Sequence, residues 1–361
     1  MNKNKFVAIM AGGIGSRFWP VSRQDFPKQF LDILNTGKTL IQATYDRFAR
    51  FIPTENIFVV TSVQYRDIVA EQLPLLNPDN IVCEPSRKNT APCIAYISYK
   101  INQLNPDSNL ICAPADHLIT DDTAFTKVCL DALEFTDKHN ALITLGIKPL
   151  QPNTGYGYIQ YEEFAVSDSV YKVKTFTEKP DLELAKTFLA SGDFLWNAGI
   201  FVWRTKSIID SFEKILPEIS ELFDGAKTAF NTEKEKKAIE LIYPLCVSIS
   251  IDYGILEKAD NVYVIPSAFG WSDLGTWGSA YENLEKDYLD NAVAATDNVI
   301  LFDSVRNVVH SNGKKLILLQ GLEDFIIVDT NDALLVCKKD KEQHIKEYLA
   351  EIKRNKGDKF L

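Results

Sequence analysis

Five short runs in the first 150 residues are apolar with at most one polar residue: Phe6 to Met10, Ile57 to Val60, Ile81 to Cys83, Leu110 to Ala113 and Ala141 to Ile147. Between them residues fall on common helical faces, Leu40, Thr44, Phe48 and Phe51 on one and Ile94, Ile97 and Ile101 on another. A strand with no polar alternation is buried on both faces. This part of the chain therefore predicts the α/β class, a mostly parallel sheet flanked by helices. Ligands in such sheets bind beyond the carboxyl ends of the strands.

After Pro149 the rhythm changes to "GYGYIQY", "YKVKTFTEKP" and "WNAGIFVWRT", with helical periods over 182–189 and 208–230. This reads as an insertion that continues the same domain and adds strands over one side of the cleft. A break at 288–295 precedes "NVILF", "NVVHS", "KLILLQ", "DFIIVDT" and "ALLVCKK", closely spaced with Asn, Asp and Gly between them. These runs predict a small C-terminal β domain, a short β-helix being one form it can take, and 344–353 reads as an exposed helix. The expected division is 1–288 for the large domain and 289–361 for the small one.

A chain of 361 residues exceeds what one hydrophobic core usually serves, in line with that division. Hydrophobic and charged fractions of 46% and 24% are those of a globular protein, so disorder is not the default. A net charge of −10 argues against nucleic acid or an anionic membrane as partner, since both require broad positive surfaces. Cys83, Cys93, Cys112, Cys129, Cys246 and Cys337 form no CxxC pair and sit mostly in apolar runs, which fits free thiols in a reducing, cytoplasmic setting. The run Phe6 to Met10 is too short for a signal peptide and ends in Gly-Gly, and no stretch approaches the roughly twenty apolar residues of a membrane span.

The basic residues that matter sit in "AGGIGSRFWPVSRQDFPKQF", Ala11 to Phe30. A dinucleotide fingerprint would need glycine at 18, where Phe18 stands, and a Walker A loop ending at Thr39 would need glycine in place of Asp32. Thr39 instead caps the next helix. What remains is a set of amides around Gly12, Gly13 and Gly15 able to cradle an anion, with Arg17 and Lys28 as two separate cations that suit a triphosphate. On the loop alone, a glycine-rich turn with solvated basic residues reads equally well.

The stretch "AGGIGSRFWPVSRQDFPKQFL" resembles the signature of the sugar-phosphate nucleotidyltransferases, and Gln29 in "PKQF" resembles the mannose-1-phosphate guanylyltransferase (GDP-mannose pyrophosphorylase) branch. The resemblance continues in family order through "EPSRKNTAPCIAY", "PADHLI", "NTGYGYIQ", "FTEKP", "WNAGIFVW" and "GWSDLGTW", covering about residues 5 to 280. Ser16 and Phe18 stand where the family often has Thr and Leu, and Lys88 where Arg is common. The resemblance implies a Rossmann-like nucleotidyltransferase fold. It also implies attack by the phosphate of mannose 1-phosphate on the α-phosphorus of GTP, giving GDP-mannose and pyrophosphate. Because the isomerase domain of some longer relatives is not matched, one activity is expected.

In this reading Arg17, Lys28 and Asp116 are catalytic, and Asp116 with Asp273 holds Mg²⁺. Ala11, Gly12, Gly13, Gly15, Ser16, Glu84, Arg87, Asn89 and Thr90 bind the nucleotide, whereas Gly157, Glu178, Lys179, Asn197 and Gly199 bind the sugar phosphate. Two reacting anions need neutralisation and alignment more than proton transfer, so cations, amides and a hard metal ion suit the chemistry. His117 reads as an orienting or packing residue, and Asp121 and Asp122 as helix caps. For Asp116 and Asp273 the plainer alternative is a turn or cap aspartate, for Glu178 and Lys179 a surface pair, and for Asn197 a β-bulge residue. Rival functions are another nucleotide and hexose 1-phosphate pair, such as UTP, dTTP or ATP with glucose 1-phosphate, and a non-catalytic nucleotide-sugar-binding subunit. A homodimer through the apolar C-terminal runs is one assembly the sequence allows.

Overall fold

The protein is described by a computed structural model that covers residues 3–361. Contacts divide it into two compact units. One comprises the chain up to Gly12, Tyr45–Ala115 and Ile119–Trp271, and the other Gly13–Thr44, Asp116–Leu118 and Ser272–Leu361.

The first unit holds a nine-stranded sheet made of β1 (Lys5–Met10), β2 (Ile57–Ser62), β3 (Ile81–Glu84), β4 (Asn109–Pro114), β5 (Leu142–Ile147), β6 (Gly157–Ser167), β7 (Val170–Glu178), β8 (Phe194–Arg204) and β9 (Val262–Ser267). Their order is β3-β2-β1-β4-β8-β5-β9-β7-β6, with β6 also paired to β8. β1, β2, β3 and β4 run parallel, as do β5 and β9, in accord with their apolar runs. The inserted strands pair antiparallel. Rather than only covering one side, β8 enters the sheet between β4 and β5. Ile200, Phe201, Val202 and Trp203 are all buried, as suits a strand covered on both faces in the sheet interior.

Flanking helices are α1 (Leu40–Ala49), α2 (Arg66–Gln72), α3 (Thr90–Leu104), α4 (Asp122–Lys138), α5 (Leu182–Ser191), α6 (Thr205–Ile215), α7 (Pro217–Gly225) and α8 (Glu235–Ile242). One core runs from the sheet through α3 to Phe212, Phe223 and Tyr243. Of the two expected caps, Asp121 takes the role, its side chain accepting from the Ala124 amide at 2.9 Å. Asp122 is the first residue of α4 and instead pairs with Arg47 and Arg50 at 2.8 and 2.5 Å.

The second unit has its own core, in which Phe18, Trp19 and Ile33 pack with Leu274, Trp277, Val308, Ile326, Val328 and Ile345. The glycine loop and 272–288 thus share a core with the C-terminal strands β10 (Ala292–Ala294), β11 (Val299–Phe302), β12 (Val308–Ser311), β13 (Ile317–Gln320), β14 (Phe325–Asp329) and β15 (Leu334–Lys338). β10, β12 and β14 stack in parallel, as do β11 and β13, so each coil lies over the preceding one. β10 falls inside the expected break, because three residues are too few to show a pattern. Buried Asn307 donates to Asn291 Oδ1 at 3.0 Å and to the Leu322 carbonyl at 2.9 Å, and it accepts from the Phe325 amide at 2.9 Å. That ladder satisfies turn backbone that strands cannot reach. Helices α9 (Trp277–Asn283) and α10 (Ile345–Lys356) complete the unit.

Candidate active site

Three clusters contain the residues singled out in the sequence. The first lies in the second unit. Gly15 is left-handed, with φ 64°, and a Cβ there would stand 2.3 Å from Lys28 Cβ, so both backbone and space demand glycine. Ser22 Oγ donates to the Ile14 carbonyl at 2.7 Å and Gln29 Nε2 to the Gly13 carbonyl at 3.0 Å. With two carbonyls held by side chains, the loop keeps its amides for other acceptors. Ser16 and Arg17 open a single turn, Ser16–Phe18.

Lys28 is 3% exposed. Its ammonium group lies 2.9 Å from Oδ2 of Asp116 and donates to the carbonyls of Asp273 at 3.0 Å and Leu274 at 2.8 Å. Burial pushes the Asp116 carboxyl up, but the charges of Lys28 and His117 outweigh it and hold the group below the usual range. Asp273 Oδ1 accepts from the Gly275 amide at 2.9 Å, an Asx turn that fixes the loop. Glu342, which the sequence reading misses, accepts from the Gly278 amide at 2.7 Å and lies within the electrostatic reach of Arg17 and Asp273.

The second cluster gathers the ends of β5 to β8 in the first unit. Thr144 Oγ1 donates to Asn197 Oδ1 at 2.7 Å, the Gly199 amide donates to the same oxygen at 3.1 Å, and Asn197 Nδ2 donates to Asp252 Oδ1 at 2.9 Å. Glu178 is ion-paired with Lys179, and unlike a surface pair it is buried: its side chain is 6% exposed against 57% for the lysine. Gly157 makes room, since a Cβ there would meet Glu178 Oε2 at 2.5 Å and Asn197 Cβ at 3.4 Å. Burial and the neighbouring Glu178 charge push the Asp252 carboxyl up to about 7. Two carboxyls, an amide and an ammonium group are thereby brought together, a set able to hold hydroxyls and a phosphate. The sequence reading misses Asp252 as well; its only signal is a lone acid inside the largely apolar stretch "SISIDYGIL".

The third cluster surrounds Glu84, the last residue of β3. The Ala11 amide donates to the Val60 carbonyl at 2.7 Å, and Thr61 Oγ1 to the Ala11 carbonyl at 2.9 Å, fixing the start of the loop. A Cβ on Gly12 would lie 3.2 Å from Glu84 Oε2. Tyr243, also missed, donates its hydroxyl to Glu84 Oε1. Arg87 donates to the Tyr65 hydroxyl at 2.7 Å. Asn89 caps the Thr90 amide at 2.8 Å, and Thr90 Oγ1 accepts from the Ile251 amide at 2.8 Å, tying α3 to the segment that carries Asp252.

For a metal, no group of three or more His, Cys, Asp or Glu gathers among the described residues. Asp116 and Asp273 offer two carboxylates whose segments already converge on one cation, the Lys28 ammonium. An all-oxygen pair of this kind fits Mg²⁺, which binds through one or two carboxylates and keeps its other positions for phosphate and water. No helix among the described residues is long and apolar enough to cross a membrane, and all six cysteines are free thiols.

A glycine loop, a lysine buried against the Asp116 carboxylate, a mixed sheet and a set of stacked β-coils are the features to set beside known proteins, and the comparison gives an enzyme class that moves nucleotidyl groups. Residues 7–290 match the family model described as nucleotidyl transferase, and 297–352 match a MannoseP isomerase/GMP-like beta-helix domain. The chain belongs to the nucleotidyl transferase family. It is 36% identical to a mannose-1-phosphate guanylyltransferase of Salmonella muenchen, over 98% of this chain and 75% of that one. It is 35% identical to the alginate biosynthesis protein AlgA of Pseudomonas putida, over 94% and 70%. Among solved structures, a mannose-1-phosphate geranyltransferase from Thermus thermophilus superimposes with a TM-score of 0.87 at 28% identity, covering 97% of this chain and 99% of that one.

Proposed function

We propose that this chain transfers GMP from GTP to α-D-mannose 1-phosphate. A phosphate oxygen of the sugar phosphate forms a bond to the α-phosphorus, and the bond from that phosphorus to the bridging oxygen breaks, so pyrophosphate leaves. The observation that carries the reading is the buried Lys28 ammonium held between Asp116 and the carbonyls of Asp273 and Leu274. A charge fixed in this way needs no reorganisation as negative charge builds on the leaving group.

Arg17 and the glycine amides neutralise the triphosphate, Glu84, Arg87, Asn89 and Thr90 serve the nucleoside side, and Ala11 anchors the loop. Glu178, Asn197 and Asp252 hold the hexose hydroxyls while Lys179 holds its phosphate, with Gly157 and Gly199 giving the space. Asp116 and Asp273 would hold Mg²⁺, which supplies further neutralisation of the phosphates. The activity named for the Salmonella muenchen relative supports the substrate pair. The reading includes cytoplasmic residence, supported by the free thiols, and a homodimer, supported by exposed Ile300, Phe302, Leu316 and Leu318.

The test is pyrophosphate release with Mg²⁺ over a grid of nucleoside triphosphates and hexose 1-phosphates, with Asp116→Ala as control. Activity confined to GTP with mannose 1-phosphate and lost in the control is expected. A maximum at another pair would discard the substrate assignment, and no release despite binding of GDP-mannose would favour a regulatory subunit.

A further inference from the structure

We propose that Tyr243 is a positioning residue for base selection: its hydroxyl orients Glu84 and favours the carboxylate, the form that matches the guanine edge and mismatches adenine. The inference rests on the reading of Glu84 as a nucleoside-side residue and deepens it.

The geometry begins with what holds Tyr243. It follows α8, is fully buried, and packs its ring edge-on against Phe223 with centroids 6.3 Å apart and against Tyr96 at 6.3 Å. Tyr96 is itself pinned by a 2.7 Å hydrogen bond to Glu235, which also pairs with Lys100 at 2.6 Å. The phenol therefore has one orientation, and its hydroxyl donates to Glu84 Oε1. The other oxygen, Oε2, lies on the side of Gly12, where the first residues of the glycine loop lack side chains. Burial keeps the Tyr243 hydroxyl protonated, so toward Glu84 it acts as a donor.

The chemistry of the bases then assigns the consequence. Guanine presents two donors, N1–H and N2–H, side by side. A carboxylate offers acceptors only, whereas a protonated carboxyl offers one donor and one acceptor. The second pattern is complementary to adenine N1 and its amino group. Whether Glu84 carries a proton therefore decides which purine it fits. Its carboxyl is raised to about 7, burial outweighing the Tyr243 hydrogen bond and the Arg87 charge, both of which pull it down. The titratable groups around it are Cys83 on its own strand, Arg87 beyond it, Cys93 and Tyr96 on α3, and Tyr243. Among these, Tyr243 is the one that donates a hydrogen bond directly to the carboxyl.

Steady-state kinetics of wild type, Tyr243→Phe and Glu84→Gln with GTP, ITP and ATP at pH 6 to 9 test this. In Tyr243→Phe, KM for GTP should rise about ten-fold at pH 7 with kcat retained, as expected for one hydrogen bond to a charged group. The acid limb of kcat/KM for GTP should move to higher pH, and the preference for GTP over ATP should shrink. ITP, which lacks the 2-amino group, should lose less than GTP. An unchanged acid limb and an unchanged GTP to ATP ratio in Tyr243→Phe would overturn the inference. If Glu84→Gln also leaves KM for GTP unaltered, the nucleoside-side reading of Glu84 fails instead. Should the phenylalanine variant not fold, the wild type suffices: its preference for GTP over ATP must fall as pH drops through 7, and a flat ratio refutes the proposal.

Discussion

The ammonium group of Lys28 and the Oδ2 atom of Asp116 are 2.9 Å apart, with the lysine side chain 4% exposed and the aspartate 28%. The cation is therefore held from inside, while the carboxylate keeps one side open to ligands.

Replacing Lys28 by methionine should lower kcat by about 10² to 10³, the scale of losing a donor that faces developing charge. Lys179, which is half-exposed and serves a phosphate already charged in the ground state, should behave differently. Lys179→Met should mostly raise KM for the sugar phosphate. Initial rates over both substrates separate the two, and equal changes of kcat and KM in both variants would contradict this division of roles.

Gly15→Ala should impair catalysis as well as folding. The substitution forces a side chain into a left-handed residue and into Lys28 Cβ at 2.3 Å. A stability loss of about 1–2 kcal/mol and a fall in kcat of about ten-fold or more are expected. Gly192 is also left-handed, with φ 78°, but a Cβ there meets nothing within 4 Å. Gly192→Ala should therefore lose stability in urea denaturation and keep kcat.

Asp252 should make stability pH-dependent with a defined sign. Its folded-state carboxyl is raised to about 7 from an ordinary 3.8, so between those values the folded form holds a proton that the unfolded form has released. Stability should then fall as pH rises through this window. Urea denaturation of wild type and Asp252→Asn at pH 5 and 8 checks this, and the variant should show the smaller drop between the two. In kinetics, ionised Asp252 beside Glu178 should raise KM for the anionic sugar phosphate above pH 7, an increase that Asp252→Asn flattens.

Asn307→Ala should loosen the β-coils. It removes the side-chain acceptor of the Phe325 amide and one of two donors each from Asn291 Oδ1 and the Leu322 carbonyl, which keep the Asn307 and Val305 amides. A cost of about 1–2 kcal/mol is expected, since three side-chain hydrogen bonds are lost while two of their partners keep a backbone donor. Amide exchange that accelerates in 291–325 more than in β1 to β4 would confirm a local effect.

Local patterns were enough to specify the strands with no polar alternation, the helix start at Asp121, the glycine loop with its basic residues, and the coil-like strands after residue 295. Each of these follows from periodicity, capping or backbone permission, which act over a few residues. Long-range packing settled that β8 runs inside the sheet, because interior and edge strands differ only in what lies beside them. It also settled that the glycine loop shares a core with residues 272–361, through Phe18 and Trp19 packing with Trp277. Asp252, Tyr243 and Glu342 were invisible for the same reason. A lone acid or tyrosine gains its role from partners far away in the chain, as Tyr243 does from Glu84, 159 residues earlier. Burial and opposing charges of that kind depend on which distant segments meet, and no short window of sequence contains them.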